Sequence, residues 1–251
     1  MTLSTMQTRQ SERGFTLVEL AIVMIIIGLL IGGILKGQEL IGNARISSSV
    51  AQLKAFETGI NTFRDKFAGY PGDIGTPANR VPNCTNTCGQ AGNGNGQIGT
   101  SNADVTDTSN ENSAALAQLV ASDMFSGVDP QVATGVGSAV NVNMVASNIA
   151  GTMHIVFSAG GAVTGAVAPL AAGHYVRWDE KLGAARAAGD GLVLNPSQSA
   201  RIDRKMDDGN SDSGSVIAIG ANAQATDCSN SGVYNENVGT ANCGLYVRVV
   251  Q

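Results

Sequence analysis

The stretch from Phe15 to Leu35 constrains this chain more than any other: 21 consecutive positions carry a single charged side chain, Glu19. About 20 apolar residues in a helix cross the hydrocarbon core of a bilayer, so this segment is predicted to span one. Arg9 and Arg13 outweigh Glu12 ahead of it, and Lys36 closes its far end. That asymmetry predicts a cytoplasmic N-terminus with the bulk of the chain on the other side. A secretory signal peptide has a shorter apolar region, about 7 to 15 residues, followed by a small-residue cleavage site. Here the run is longer and the pattern beyond it continues as helix.

No proline stands between Thr16 and Phe67, and the first in the chain is Pro71. A continuous helix of about 50 residues, roughly 75 Å long, is therefore allowed. Its second half is amphipathic. Ile46, Val50, Leu53, Phe56, Ile60, Phe63 and Phe67 recur at helical spacing along one face, with Arg45, Lys54, Glu57, Arg64, Asp65 and Lys66 mostly off it, so a sheet is predicted to lie against that stripe. Gly28 and Gly32, and Gly33 and Gly37, are spaced so that apolar helices can approach closely, although glycine is also simply tolerated in such spans.

After Gly69-Tyr70-Pro71-Gly72-Asp73 the helical pattern stops, and residues 82–112 form a loop rich in Asn, Gly and Thr. Helix is predicted again over Glu111 to Phe125, and a short helix opens at Asn195-Pro196 and runs through Met206, with proline suited to its first turn. Strands are predicted over Met153–Phe157, Tyr175–Trp178, Leu192–Leu194, Val216–Ile219 and Leu245–Val250. The fold class that follows is α+β: a long N-terminal helix whose second half packs on a C-terminal head of antiparallel β-sheet. The expected divisions are 1–14, 15–35 for the membrane-spanning half of the helix, 36–69 for its amphipathic half, and 70–251 for the head.

A net charge of −5 without a Lys/Arg cluster argues against nucleic acid as a partner, because phosphates need cationic neutralisation. With 4% aromatic residues a base-stacking platform is not expected either. Catalysis finds no support: there are two histidines, no Gly-x-Ser-x-Gly elbow and no His-Glu-x-x-His. Asp179 and Glu180 are adjacent in a strand and face opposite ways. The segment from Gly92 to Gly96 looks like a phosphate loop but lacks the following Lys and Ser/Thr, and reads as a turn.

Four cysteines in an exported region point to an oxidising compartment. Of three possible pairings, Cys84 with Cys88 and Cys228 with Cys243 are favoured, because both are local and each closes a weakly structured segment. Zinc is disfavoured, since Cys-x3-Cys, a distant Cys-x14-Cys and His154 and His174 do not make ligand spacing. Asp207, Asp208, Asn210 and Asp212 crowd one turn, with Asp203 a helical turn earlier. Such hard oxygens could hold calcium, but the turn departs from the EF-hand template at the required Gly and the terminal Glu, and a solvated turn ending a helix is the favoured reading. No other cofactor is expected.

The residues Arg13-Gly14-Phe15-Thr16-Leu17-Val18-Glu19-Leu20, read with the apolar run behind them, resemble the leader junction of type IV prepilins. The phrases Tyr70 to Asp73, Gly92 to Ile98 and Arg201 to Gly214 are similar, more loosely, to pieces of larger pilin-like proteins, and the long inserts depart from compact major pseudopilins. The resemblance implies a leader peptide, residues 1–14, cut after Gly14 by prepilin peptidase on the cytoplasmic side. It also implies N-methylation of Phe15 and a filament subunit of a type IV pilus or a type II secretion pseudopilus. The mature chain would have 251 − 14 = 237 residues. Its implied partners are like or related pilin subunits, the peptidase/methyltransferase, an inner-membrane assembly platform and, before assembly, inner-membrane lipid. The head would be periplasmic. A different class of function remains beside it: a membrane-anchored periplasmic binding protein that never polymerises.

Glu19 has two physical readings. Thr16-x-x-Glu19 fits a capping box at a helix N-terminus. Alternatively the carboxylate, costly in an apolar bundle, pairs with the Phe15 α-amino group of a neighbouring subunit and thereby sets register. The resemblance implies the second, assembly role.

Overall fold

A computed structural model describes residues 14–99, 110–133, 144–163, 165–179, 192–220 and 227–250. Residues 1–13, of the expected leader, and Glu180 lie outside the described residues. The chain divides into two compact units between Ala44 and Arg45. Helix α1, Leu17–Phe67, contributes to both.

The first unit is the N-terminal part of α1. Among the described residues, α1 is the one helix long and apolar enough to cross a membrane. In this unit the large apolar side chains are exposed, among them Leu17, Ile22, Ile26, Leu30, Ile34 and Ile41.

In the second unit the amphipathic stripe does what its spacing predicts. All seven of Ile46, Val50, Leu53, Phe56, Ile60, Phe63 and Phe67 are buried. They join one core with Met153, Ile155, Val176, Trp178, Val216, Ala218, Leu245, Val247 and Val249. Phe56 and Phe125 stack with centroids 4.3 Å apart. Polar groups fix the edge of this layer: Lys205 donates to Ser47 Oγ at 2.7 Å, Asn148 Nδ2 to Ser48 Oγ at 2.8 Å, and Gln52 Nε2 to the Ala146 carbonyl at 2.9 Å. The helix ends where Ala68 takes a left-handed φ of 49°.

The sheet is antiparallel, with strands β1 Val145–Ala146, β2 Thr152–Ser158, β3 Gly173–Asp179, β4 Val216–Gly220 and β7 Cys243–Val250 in the order β1-β2-β3-β7-β4. A small hairpin of β5 Ser229–Asn230 and β6 Val233–Tyr234 stands apart from it. Side chains alternate between faces, as the pleat requires. Val176 pairs with Val247 toward the helical core. Tyr175, Ile217, Ile219 and Tyr246 point the other way and form a second apolar layer with Leu170 and Leu192. Burial on both faces explains why β4 reads Val-Ile-Ala-Ile rather than as an apolar and polar alternation.

Three shorter helices complete the unit: α2 Pro77–Arg80, α3 Glu111–Ala121 and α4 Pro196–Met206. Helix α4 opens with a reciprocal capping box, Asn195 accepting from Gln198 N at 2.8 Å and Gln198 accepting from Asn195 N at 3.0 Å, and has proline in its first turn.

Two expectations are corrected. Helix α3 stops at Ala121 rather than Phe125, because Asp123 adopts φ 60° and closes a Schellman turn: Met124 N donates to the Leu119 carbonyl and Asp123 N to the Val120 carbonyl, both at 3.0 Å. Leu192–Leu194 is not a strand. Leu194 makes an isolated bridge to Cys243, which leaves the segment just before the α4 cap.

Candidate functional site

The N-terminal end of α1 presents the predicted site residues in order. Gly14 is exposed, and a Cβ added there would meet nothing within 4 Å. Phe15 is 90% and Leu17 87% exposed. Thr16 N and Thr16 Oγ1 each donate to Glu19 Oε2 at 2.9 Å, and Glu19 N donates to Thr16 Oγ1 at 3.2 Å. This is the reciprocal arrangement of a capping box. It ties down the carboxylate through Oε2 and holds it at the start of the helix, where the aligned peptide dipoles favour negative charge. An ion pair between Lys36 and Glu39, 2.6 Å, marks where charge returns to the helix surface. Between these points the surface is almost wholly aliphatic. Added Cβ atoms at Gly28, Gly32, Gly33 and Gly37 would meet nothing within 4 Å among the described residues.

The helix thus opens on a polar start with one carboxylate, continues as an unbroken aliphatic rod and is flanked by a cation, Lys36. Residues 9–35 match the family model of the prokaryotic N-terminal methylation motif. This is the prepilin-type cleavage and methylation signature of type IV pilin-like proteins. Over these residues the chain thus carries a signature that supports a type IV pilin-like precursor. The motif family is structural rather than catalytic. No curated protein and no solved structure matches the chain.

In the second unit the cysteines are bonded as Cys84–Cys88 and Cys228–Cys243, with no free cysteine. The second bridge joins the segment bearing β5 and β6 to the first residue of β7.

The acidic turn after α4 is organised by hydrogen bonds of its own. Asp203, Asp207 and Asp208 each bring a carboxylate oxygen to within 4.8 Å of the others, whereas Asp212 is not in that group. Asp208 Oδ1 accepts from Asn210 N at 2.8 Å and its Oδ2 from Ser213 Oγ at 2.8 Å. Asp207 Oδ2 accepts from Ser215 N, and Asn210 Oδ1 from Asp212 N at 3.4 Å. Asp203, completely buried, accepts from Tyr234 Oη at 2.8 Å and Gly209 N at 3.1 Å. These bonds account for the clustering of acids without an ion. Burial pushes the Asp203 carboxyl up to about 6, against the opposing pull of the Tyr234 and Gly209 hydrogen bonds.

Sequence reading missed how Tyr70 to Asp73 and Gly92 to Ile98 belong together. Asp73 Oδ1 accepts from Asn95 N at 3.0 Å and Oδ2 from Gly96 N at 2.8 Å, while Glu111, in the first turn of α3, accepts from Asn93 N at 3.0 Å and Gly99 N at 2.9 Å. Gly72 makes the grip possible. It sits at φ 85°, and a Cβ there would lie 2.3 Å from the Glu111 carbonyl oxygen. The one available signal was an acid placed directly after a Pro-Gly turn.

The polar pair nearest to enzyme-like chemistry is structural. Arg177 Nε donates to Asp179 Oδ2 at 2.7 Å with both side chains buried, and the carboxylate is thus neutralised by a neighbour on its own strand. His174 accepts from Ile98 N at 3.2 Å and lies beside the Tyr70 and Phe157 rings. Burial brings it down to about 4, so it is a neutral packing residue at physiological pH.

Proposed function

We propose that this chain is a structural subunit of a type IV pilus-like filament, a pilin or a type II secretion pseudopilin. It is cut after Gly14, N-methylated at Phe15 and polymerised through its apolar N-terminal helix. In this reading residues 1–14 are the leader, 15–35 the segment held first by inner-membrane lipid and then by neighbouring subunits, 36–69 the amphipathic half of the helix, and 70–251 the periplasmic head. The assembly platform and like or related subunits are its partners.

The observation that carries the reading is the coincidence of the methylation motif with a run of large aliphatic side chains exposed among the described residues. Aliphatic side chains exposed over that length are stable in lipid or against copies of themselves, and not in water. Glu19 then has a use that a simple anchor would lack. As subunits leave lipid and water is excluded, a neighbour's cationic Phe15 amine can reach the carboxylate that Thr16 holds at the helix start.

N-terminal analysis by intact mass of protein isolated from cells with an active filament system tests this. A species beginning at methylated Phe15 and recovered in filaments is expected. Protein that keeps residues 1–14 and stays monomeric there would overturn the reading in favour of a non-polymerising, membrane-anchored periplasmic binding protein.

A further inference from the structure

Asn-Gly is the dipeptide most prone to spontaneous deamidation, because glycine offers no side chain to hinder the reaction. The backbone nitrogen of the glycine loses its proton and bonds to the asparagine Cγ. The Cγ–Nδ2 bond breaks, the side-chain nitrogen leaves as ammonia carrying that proton, and water opens the resulting succinimide to aspartate or isoaspartate. The sequence contains this dipeptide twice, at Asn93-Gly94 and Asn95-Gly96, and nowhere else. Both pairs are exposed.

We infer that Asp73 guards these two bonds, keeping Asn93 and Asn95 as amides by binding the nitrogens that would attack them. Gly94 N donates to the Asp73 main-chain carbonyl at 3.0 Å and Gly96 N to Asp73 Oδ2 at 2.8 Å. Each nucleophile is therefore committed to one residue. At Gly96 the acceptor is a carboxylate, which both retains the amide proton and disfavours an amide anion beside it. The electrophiles are held as well: Asn93 Oδ1 accepts from Asn95 N and Asn95 Oδ1 from Gln97 N, both at 2.9 Å, so neither Cγ is free to rotate onto the following nitrogen. Asp73 is only 4% exposed. It is seated by the Gly92 N to Ile74 O bond at 3.0 Å and by the Gly72 N to Gln118 Oε1 bond at 2.7 Å. The guard thus rests on the packed head and not on the loop alone. Each conversion would add a negative charge to a chain already at −5. The inference holds whether or not the chain polymerises.

The test is peptide mass spectrometry of the full-length chain in detergent, incubated at mildly alkaline pH, with conversion at Asn93 and Asn95 followed separately. Native protein should deamidate at both positions more slowly than the reduced, unfolded chain, by several-fold at Asn93, where a backbone hydrogen bond must open, and by roughly tenfold or more at Asn95, where a charge-assisted one must. Asp73→Ala should accelerate Asn95 more than Asn93, because only the side chain is lost and the main-chain carbonyl still holds Gly94. Glu111→Ala, which releases Asn93 N and Gly99 N but not Gly96 N, should leave Asn95 protected. Native and unfolded chains reacting at the same rate would overturn the inference, as would a folded Asp73→Ala variant with unchanged Asn95. Should Asp73→Ala fail to fold, hydrogen exchange of the Gly96 amide in the wild-type protein decides: protection is expected, and exchange at the unfolded rate would refute the guard.

Discussion

Asp203 is a buried acid that accepts from a phenol and a backbone amide beside the Asp207 and Asp208 carboxylates, and its energetics follow from that. Between the ordinary carboxyl value of 3.8 and its raised value of about 6, the folded chain keeps a proton that the unfolded chain has released. Stability from this group is therefore greatest at low pH, falls as pH rises through that window and stays lower above it. Asn at this position cannot ionise and still offers an oxygen to Tyr234. The melting temperature of Asp203→Asn relative to wild type should be more favourable at neutral pH than below about pH 4, and a difference that is flat or reversed would contradict the assignment. Comparing differences matters because His174, brought down to about 4 by burial, pulls the other way: its contribution is lost as pH falls from 6.5 through that value. Glu19 belongs to the same scale. Its carboxylate joins Thr16 in one chain, but a lone helix inserted in lipid does not depend on that contact. Glu19→Ala is expected to yield a processed, membrane-inserted subunit with little filament, measured by fractionation and filament shearing. Normal filament yield would remove the assembly role from this residue.

Elements differ in how plainly they could be read before the structure. The second half of α1 was legible because a helix with one wet face must repeat its apolar residues at helical spacing, and all seven stripe positions are buried. The central strands β2, β3, β4 and β7 were legible from short runs of β-branched and aromatic residues. Strands β1, β5 and β6, two residues each, carry no periodic signal and exist only through their partners. The Leu192–Leu194 run misled because three apolar or β-branched residues look alike in a strand and in an extended lead into a helix cap. The grip of Asp73 on residues 95–96 was illegible for another reason: it joins positions more than 20 apart through backbone amides, which leave no trace in side-chain pattern. The bridges set a further expectation at this scale. Cys228–Cys243 spans 15 residues and Cys84–Cys88 spans 4. Loop-closure entropy assigns about 3 kcal/mol to the longer and about 2 kcal/mol to the shorter. Replacing the Cys228 and Cys243 pair by serine should lower the melting temperature of the head more than replacing the Cys84 and Cys88 pair; the opposite order would show that the short loop carries packing beyond its closure.

At the scale of the whole molecule the distribution of exposed apolar side chains separates two solvents. Every large exposed hydrophobic among the described residues lies between Phe15 and Ile41 except Val233, at 70%. From Ile46 onward the large apolar residues of α1 are inside a continuous core. The division between Ala44 and Arg45 falls in the short interval between these regimes. The first unit makes no core and needs lipid or neighbouring copies to cover it, whereas the second covers itself. A chain starting at Arg45 should therefore be soluble and monomeric without detergent, keep both disulfides, and unfold at nearly the temperature of the full-length protein. The full chain should partition into detergent or membranes. Size-exclusion chromatography, thiol titration and thermal melts check each part. The informative failure is a truncated head that aggregates or melts far lower, which would mean that residues before Arg45 contribute to its core and that the apolar rod is not reserved for lipid and for other subunits.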